Sequence, residues 1–321
     1  MLPAIQKGAL ESSKASNIGI KARTLKQHLC TPTDFQVPQL PLSNLQITQQ
    51  PVHIQPNRVA TVDIREEKVL DGFSLLENAG ISLPDDVIFG DLADKKYTSV
   101  NENDLYFFTE LLYLDVSENY LQLGYFGSFP KLEELRLACN GITEIVVESL
   151  HLDKERFTSL QFLDLSYNRL SFSSTLSLGT LPSLRELNLS GNQLQKLPMM
   201  KGSFQSLEKI NLENNKFEGS AVFEILCDVP NLRDIGLAYN FLSDIPGAFC
   251  ESNKFRLLET LDLAYNYFGV EKGVEGVLKL SRLRSLLLYG NPLLGPSGED
   301  PHFIYIGKIS ALSVIHILLK Q

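Results

Sequence analysis

One short pattern, LxxLxLxxNxL, recurs eight times in the middle of this 321-residue chain. In the first copy its residues are Leu111, Leu114, Val116, Asn119 and Leu121. The asparagine is present in every copy, at steps of 21 to 28 residues, and occupies positions Asn119, Asn140, Asn168, Asn192, Asn215, Asn240, Asn266 and Asn291. Such a period predicts a solenoid, in which each repeat packs only on its neighbours.

The alternation inside the pattern predicts one short strand in each repeat. Because side chains alternate between the two faces of a strand, the leucines point inward and the residues between them point to solvent. Stacked repeats then place their strands side by side in a parallel sheet. We expect the asparagine amide to be buried and to bond backbone groups of its own repeat and of the next.

All eight copies resemble the repeats of the leucine-rich-repeat superfamily. The resemblance implies an α/β leucine-rich-repeat solenoid, curved, with parallel strands on its concave face and helical turns and loops on its convex face. It also implies protein binding. A narrower resemblance, to the X-ray radiation resistance-associated protein family, extends over about residues 105–300 and is carried by the segments Ser117–Leu123, Phe129–Leu135, Leu137–Ile142 and Phe162–Asn168. That family name implies a role in radiation response, but it carries over no site residues.

The regions outside the repeats differ in composition. Residues 1–57 contain six of the fifteen prolines and one aromatic residue, so they bury too little apolar surface to fold alone, and we interpret them as a flexible basic tail. Residues 58–110 are interpreted as an N-terminal cap with degenerate repeats, in which Val69–Leu76 fits a helix. Residues 111–293 hold the eight repeats, and residues 294–321 are interpreted as a C-terminal cap.

The net charge of −9 is unevenly distributed. Residues 1–60 have a net charge of +4, which leaves −13 on the rest, and an acidic body opposes nonspecific nucleic-acid binding. A basic tail fits an acidic surface such as that of tubulin, whereas the alternative is a tail that is merely solvated. The tail residues predicted to bind are Lys7, Lys14, Lys21, Arg23 and Lys26.

The cysteines and histidines give no sign of bound metal or catalysis. The four cysteines are isolated, which favours a reducing compartment, and no window is apolar enough for a membrane helix. We therefore expect an intracellular protein of the cytoplasm or nucleus, or alternatively of a cilium or flagellum axoneme. Metal-ligand spacing, a phosphate-binding glycine loop and a hydrolase elbow are all missing, so we expect no catalytic residues, no metal, no cofactor and no enzyme activity.

The outward positions of the strands are the predicted binding surface. Aromatic side chains beside fixed charges are typical of protein interfaces, and the acidic balance favours a partner with basic side chains. The predicted partner-binding residues are Tyr113, Asp115, Glu134, Arg136, Phe162, Asp164, Glu186, Asn188, Lys209, Asn211, Asp234, Asp262 and Tyr289. Three further tyrosines share the position before the asparagine and either bind a partner or pack on the adjoining loop: Tyr167, Tyr239 and Tyr265.

The sequence thus predicts a non-catalytic protein–protein interaction scaffold that binds through its concave face and its N-terminal tail. One alternative is a structural component of a ciliary axoneme or a microtubule-associated assembly. A second alternative, an enzyme, has no motif in its favour.

Overall fold

The computed structural model describes residues 67–145, 156–197, 202–247, 254–269 and 273–294. These residues all belong to one compact unit, Arg65–Gln321. The five basic tail residues and nearly all of the predicted C-terminal cap lie outside the described ranges.

Nine strands in the described ranges form one parallel sheet. They are β2 (Phe89–Asp91), β4 (Tyr113–Asp115), β5 (Glu134–Arg136), β6 (Phe162–Asp164), β7 (Glu186–Asn188), β8 (Lys209–Asn211), β9 (Asp234–Gly236), β10 (Thr260–Asp262) and β11 (Ser285–Leu287). Their order is β11-β10-β9-β8-β7-β6-β5-β4-β2, so neighbours in space follow one another along the chain. The parallel pairing predicted from the repeats is confirmed.

The remaining elements lie before and between these strands. β1 (Val69–Leu70) pairs in parallel with β3 (Ser99–Val100). The α-helices are α1 (Gly72–Ala79), α2 (Glu102–Leu105) and α3 (Ala221–Leu226). Turns of 3-10 helix span Pro84–Asp86, Leu123–Phe126, Ser173–Thr175, Ser177–Thr180, Glu275–Lys279 and Pro292–Leu294.

The helix predicted over Val69–Leu76 begins later than the apolar spacing indicates. Val69 and Leu70 form a strand, and α1 begins at Gly72 because the Asp71 carboxylate caps it, accepting a 2.8 Å hydrogen bond from the Ser74 N–H. The helix ends at Ala79, and the residue that caps it is Gly80, whose φ of 67° suits a residue without a side chain. Propensity alone does not separate a two-residue strand from the first turn of a helix.

The central leucine of each strand lies in one line through the core. The pairing register places these side chains beside one another, all at most 4% exposed: Leu114, Leu135, Leu163, Leu187, Ile210, Ile235, Leu261 and Leu286. Burying a side chain of this size contributes roughly 1.5–3 kcal/mol, so the line is a main source of stability.

The eight repeat asparagines form a second line, the asparagine ladder, in which every residue is at most 5% exposed. In Asn168, for example, Oδ1 accepts from the Ile142 N–H at 3.0 Å, and Nδ2 donates to the Leu137 carbonyl at 2.9 Å. Both partners belong to the preceding repeat, so the prediction that the amide bonds the next repeat is wrong. The residue before each asparagine has a positive φ, which turns the amide back toward the preceding loop.

Candidate functional site

The strand face is the outward side of the nine-stranded sheet, formed by the first and third residue of each strand. The first positions run in register from Phe89 to Ser285, and the third positions from Asp91 to Leu287. All of the predicted binding residues lie on this face except Tyr289, which follows β11, and the register makes most of them neighbours.

The structure brings four predicted residues together around one guanidinium group. Arg136 Cζ lies 4.9 Å from the centroid of the Phe162 ring and 5.8 Å from that of the Tyr113 ring. Its Nε donates to Glu134 Oε1 at 2.8 Å, which fixes the side chain between the two rings. Burial, and next the nearby Asp115 carboxylate, raises the pKa of Tyr113 to about 12, so this phenol is neutral and keeps its proton at physiological pH.

A fifth member of this group, Phe89, lies in a strand that the sequence analysis did not recognise. Its ring stacks on Tyr113, with centroids 4.5 Å apart and planes 7° from parallel, and half of the side chain is exposed. The repeat pattern is degenerate at this strand, because Gly90 occupies the place of the central leucine, opposite Leu114. A Cβ on Gly90 would lie 3.1 Å from Leu75 of α1, so the helix fills the space that a leucine side chain takes elsewhere. We name Phe89, Tyr113, Glu134, Arg136 and Phe162 the Arg136 cluster.

The middle of the strand face carries charge rather than aromatic surface. Lys209 Nζ donates to Glu186 Oε1 at 2.9 Å, and Asp234 is the next residue in register. That hydrogen bond raises the pKa of Lys209 despite its partial burial. Because both side chains of the pair are about half exposed, it contributes little to stability, in the range of about 0–1 kcal/mol for surface pairs.

The third position of the strands has a structural role that the sequence analysis did not anticipate. The side-chain oxygen accepts a hydrogen bond from the N–H two residues later, at 2.8–3.1 Å, in Asp115, Asp164, Asn188, Asn211 and Asp262. Such Asx turns end the strand and start the loop. Asp115 is 1% and Asp164 9% exposed, so a partner does not reach the Asp115 carboxylate in this conformation.

A family model described as leucine rich repeat matches residues 130–194, and the strand and asparagine geometry agrees with it. The described residues have the fold of a leucine-rich-repeat solenoid. The chain is 33% identical over 196 residues to X-ray radiation resistance-associated protein 1 of Mus musculus, a match that covers 56% of this chain and 24% of that protein. It is 25% identical over 199 residues to tubulin-folding cofactor E of Arabidopsis thaliana, covering 58% of this chain and 37% of the relative.

Among solved structures, internalin C2 of Listeria monocytogenes superposes with a TM-score of 0.53 at 19% identity, covering 68% of this chain and 91% of that one. This likeness supports the leucine-rich-repeat solenoid and nothing further. The chain spans about a quarter of the length of the mouse relative. Leucine-rich-repeat proteins generally mediate protein–protein interactions, and their fold is typically a non-enzymatic scaffold.

An alternating row of charges runs along the edge where the strands of this leucine-rich-repeat sheet begin. Arg185, Glu208, Arg233, Glu259 and Arg284 occupy one position in successive repeats. Each pairs with its neighbour, with N···O distances of 2.8–3.7 Å. The sequence analysis missed this row, although the sign of the charge alternates at the repeat period. On this edge, positive and negative charges compensate each other.

The described residues contain no group of three or more His, Cys, Asp or Glu side chains placed to hold a metal ion. In the same ranges no helix has the length and apolar character to cross a membrane.

Proposed function

We propose that this chain is a non-catalytic interaction scaffold whose protein partner binds the strand face at the Arg136 cluster. The observation that carries the proposal is the fixed position of Arg136 between the Tyr113 and Phe162 rings, on the solvent side of the sheet. Arginine and aromatic residues are enriched in protein interfaces, and arginine and tyrosine are enriched among the few residues that dominate the binding energy. Because Glu134 and the two rings already hold the guanidinium, little side-chain entropy is lost when a partner binds.

The charge around the Arg136 cluster indicates the kind of partner. Asp91 lies on the neighbouring strand, and Glu186 and Asp234 continue the same face. In the described strands, the strand-face positions carry two cations, Arg136 and Lys209. Lys209 is paired with Glu186. An acidic face of this kind favours a partner with a basic surface. The complementary charges accelerate association with such a partner and disfavour acidic proteins.

The proposal is tested with the double variant Arg136→Ala plus Phe162→Ala, compared with the wild type by proximity labelling in cells. We expect recovery of the labelled partner to fall by about tenfold or more, the size expected when hot-spot side chains are truncated. Phe172→Ala is the matched control, because this ring is 51% exposed but lies away from the strands. Thermal unfolding of all variants checks that they are folded. If the double variant keeps its partners, the Arg136 cluster is not the binding site.

A second candidate function is that of a microtubule-associated or axonemal component in the cytoplasm or cilium. Two observations favour it: the similarity to a protein named tubulin-folding cofactor E, and the basic N-terminal residues. A chain with a positive segment and an acidic body can bind an acidic filament through the first and a basic partner through the second.

Co-sedimentation with microtubules at low salt tests this second candidate. The wild type is expected in the pellet, and a variant with glutamine at Lys7, Lys14, Lys21, Arg23 and Lys26 is expected in the supernatant. A control with Lys95→Gln and Lys96→Gln, both exposed in the folded body, removes positive charge elsewhere and should still sediment. Failure of the wild type to sediment at low salt would refute the candidate, since salt screening is then minimal.

A further inference from the structure

A row of aromatic side chains lies on the edge where the strands end, in the last three described repeats. Tyr239 and Tyr265 stack with centroids 4.3 Å apart, and Tyr289 meets Tyr265 edge-on at 5.2 Å. Phe241 and Tyr267 form a second parallel pair, two residues further along the chain, at 5.9 Å. We name these five residues the tyrosine edge.

The tyrosine edge is stacked and still open to solvent. The Tyr239, Phe241 and Tyr265 rings each pack on an aromatic ring of the following repeat. Even so, Tyr239, Phe241, Tyr265 and Tyr267 are 42–57% exposed. The two alternatives left open for the loop tyrosines therefore do not exclude each other: the rings pack on the next loop and still present aromatic surface. A group of adjacent exposed aromatic side chains is typical of an interaction site.

Two carboxylates lie beside this edge. Asp262 ends β10 and keeps its carboxylate in an Asx turn, with the Ala264 N–H at 2.9 Å. Glu213 reaches over Gly236, where its Oε1 lies 3.1 Å from the position that a Cβ would occupy. Gly236 separates Asn211 from Asp262 in register, and the Glu213 carboxylate and the Asn211 amide occupy the space that a side chain would take there. Burial, and next the Asp262 charge, raises the pKa of Glu213, and burial also raises that of Asp262.

The charges of these two carboxylates are not neutralised by arginine side chains as they are at the opposite edge. There, each carboxylate of the alternating row pairs with an arginine, whereas in the described residues no ion pair involves Glu213 or Asp262. A half-buried negative charge next to exposed aromatic rings is an environment suited to a cation from outside the molecule.

We propose that the tyrosine edge, with Glu213 and Asp262, is a docking site for an arginine-bearing segment of a protein partner. The planar guanidinium stacks on a tyrosine face and donates two parallel hydrogen bonds to a carboxylate, so it satisfies both features at once. The ammonium group of lysine offers only a point charge, and is expected to bind more weakly. This inference extends the proposed function to a second part of the same sheet, and it rests on that function only in assuming that the chain binds proteins.

Fluorescence anisotropy with the full chain and labelled peptides tests the site. The probes are three peptides in which serine alternates with arginine, lysine or glutamate. We expect the arginine peptide to bind, the lysine peptide to bind less tightly and the glutamate peptide not to bind. In the double variant Asp262→Asn plus Glu213→Gln, affinity for the arginine peptide should fall about tenfold or more. Asparagine keeps the Asx turn at position 262, so the shape survives while the charge is removed.

Asp86→Asn plus Glu224→Gln is the matched control, because it removes the same number of charges from two exposed side chains that lie outside the sheet. It should leave the affinity unchanged, whereas a loss equal to that of the double variant would mean attraction by overall charge and would overturn the proposal. Tyr239→Ala plus Tyr265→Ala should abolish the preference for arginine over lysine. If this variant keeps the preference, the proposal is overturned. The proposal is also overturned if no peptide binds and the chain instead forms a dimer that depends on Tyr239. Arg136→Ala should bind the arginine peptide as the wild type does, which separates this site from the Arg136 cluster.

Discussion

Replacement of Asn168 by leucine is expected to lower the free energy of unfolding by about 3–5 kcal/mol, because several buried backbone groups lose their partners at about 1–3 kcal/mol each. The amide Oδ1 accepts from the Asn140 and Ile142 N–H groups, both at 3.0 Å, and Nδ2 donates to the Leu137 carbonyl. Leucine has the same number of side-chain heavy atoms and the same branching at Cγ, so the change removes hydrogen bonds without opening a cavity. The Leu165 carbonyl keeps a second donor, the Asn192 amide at 2.9 Å, and this limits the loss.

Chemical denaturation followed by circular dichroism measures this loss. Asn188→Leu is the control, because Asn188 lies on the strand face and accepts a single backbone hydrogen bond, from Ser190 at 3.1 Å. Its replacement should cost about 1 kcal/mol, the usual net value of one hydrogen bond. Equal losses in the two variants would show that the asparagine ladder is no more important than an ordinary turn.

Much of this fold could be predicted because the same residue pattern occurs in eight successive repeats. In each repeat the strand, its inward face and the turn that follows are determined by the equivalents of Leu163 and Asn168. They do not depend on the length or sequence of the loops. β2 was not recognised because Gly90 replaces the leucine and a residue of α1 fills the gap, a compensation between segments distant in sequence. The direction in which the asparagine amides bond depends on the left-handed residue before each of them, which the pattern itself does not specify.

The candidate sites were predictable only in outline. Alternation places Tyr113, Arg136 and Phe162 on one face, but their contact depends on register across a 28-residue step between Asn140 and Asn168. The burial of Asp115 follows from a turn that closes on its carboxylate rather than from its residue type. Glu213 was not predicted because the equivalent residue is small in most repeats, as at Ala238 and Ala264. A single departure from the repeat is visible in the sequence, but what it contacts is not.

Replacement of Gly290 by alanine is the second substitution with a large expected effect. Gly290 has a φ of 72°, and an added Cβ would lie 2.4 Å from Cδ1 of the Tyr265 ring. The left-handed backbone costs an L-residue about 1–2 kcal/mol, and displacing a packed ring adds about 1–3 kcal/mol. We therefore expect the free energy of unfolding to fall by about 2–5 kcal/mol in total, together with loss of the Tyr239–Tyr265 stack.

Gly141→Ala separates the two contributions to this effect. Gly141 has nearly the same φ, 73°, but an added Cβ there would meet nothing within 4 Å. Its replacement should cost only the backbone part, about 1–2 kcal/mol, as measured by the same denaturation experiment. A larger loss at Gly290 than at Gly141 would mean that the glycine is required by the ring above it, and that the stacking of the tyrosine edge depends on a residue that carries no side chain. If the two losses are equal, the Tyr265 ring moves aside freely, and its stacked position contributes nothing to stability.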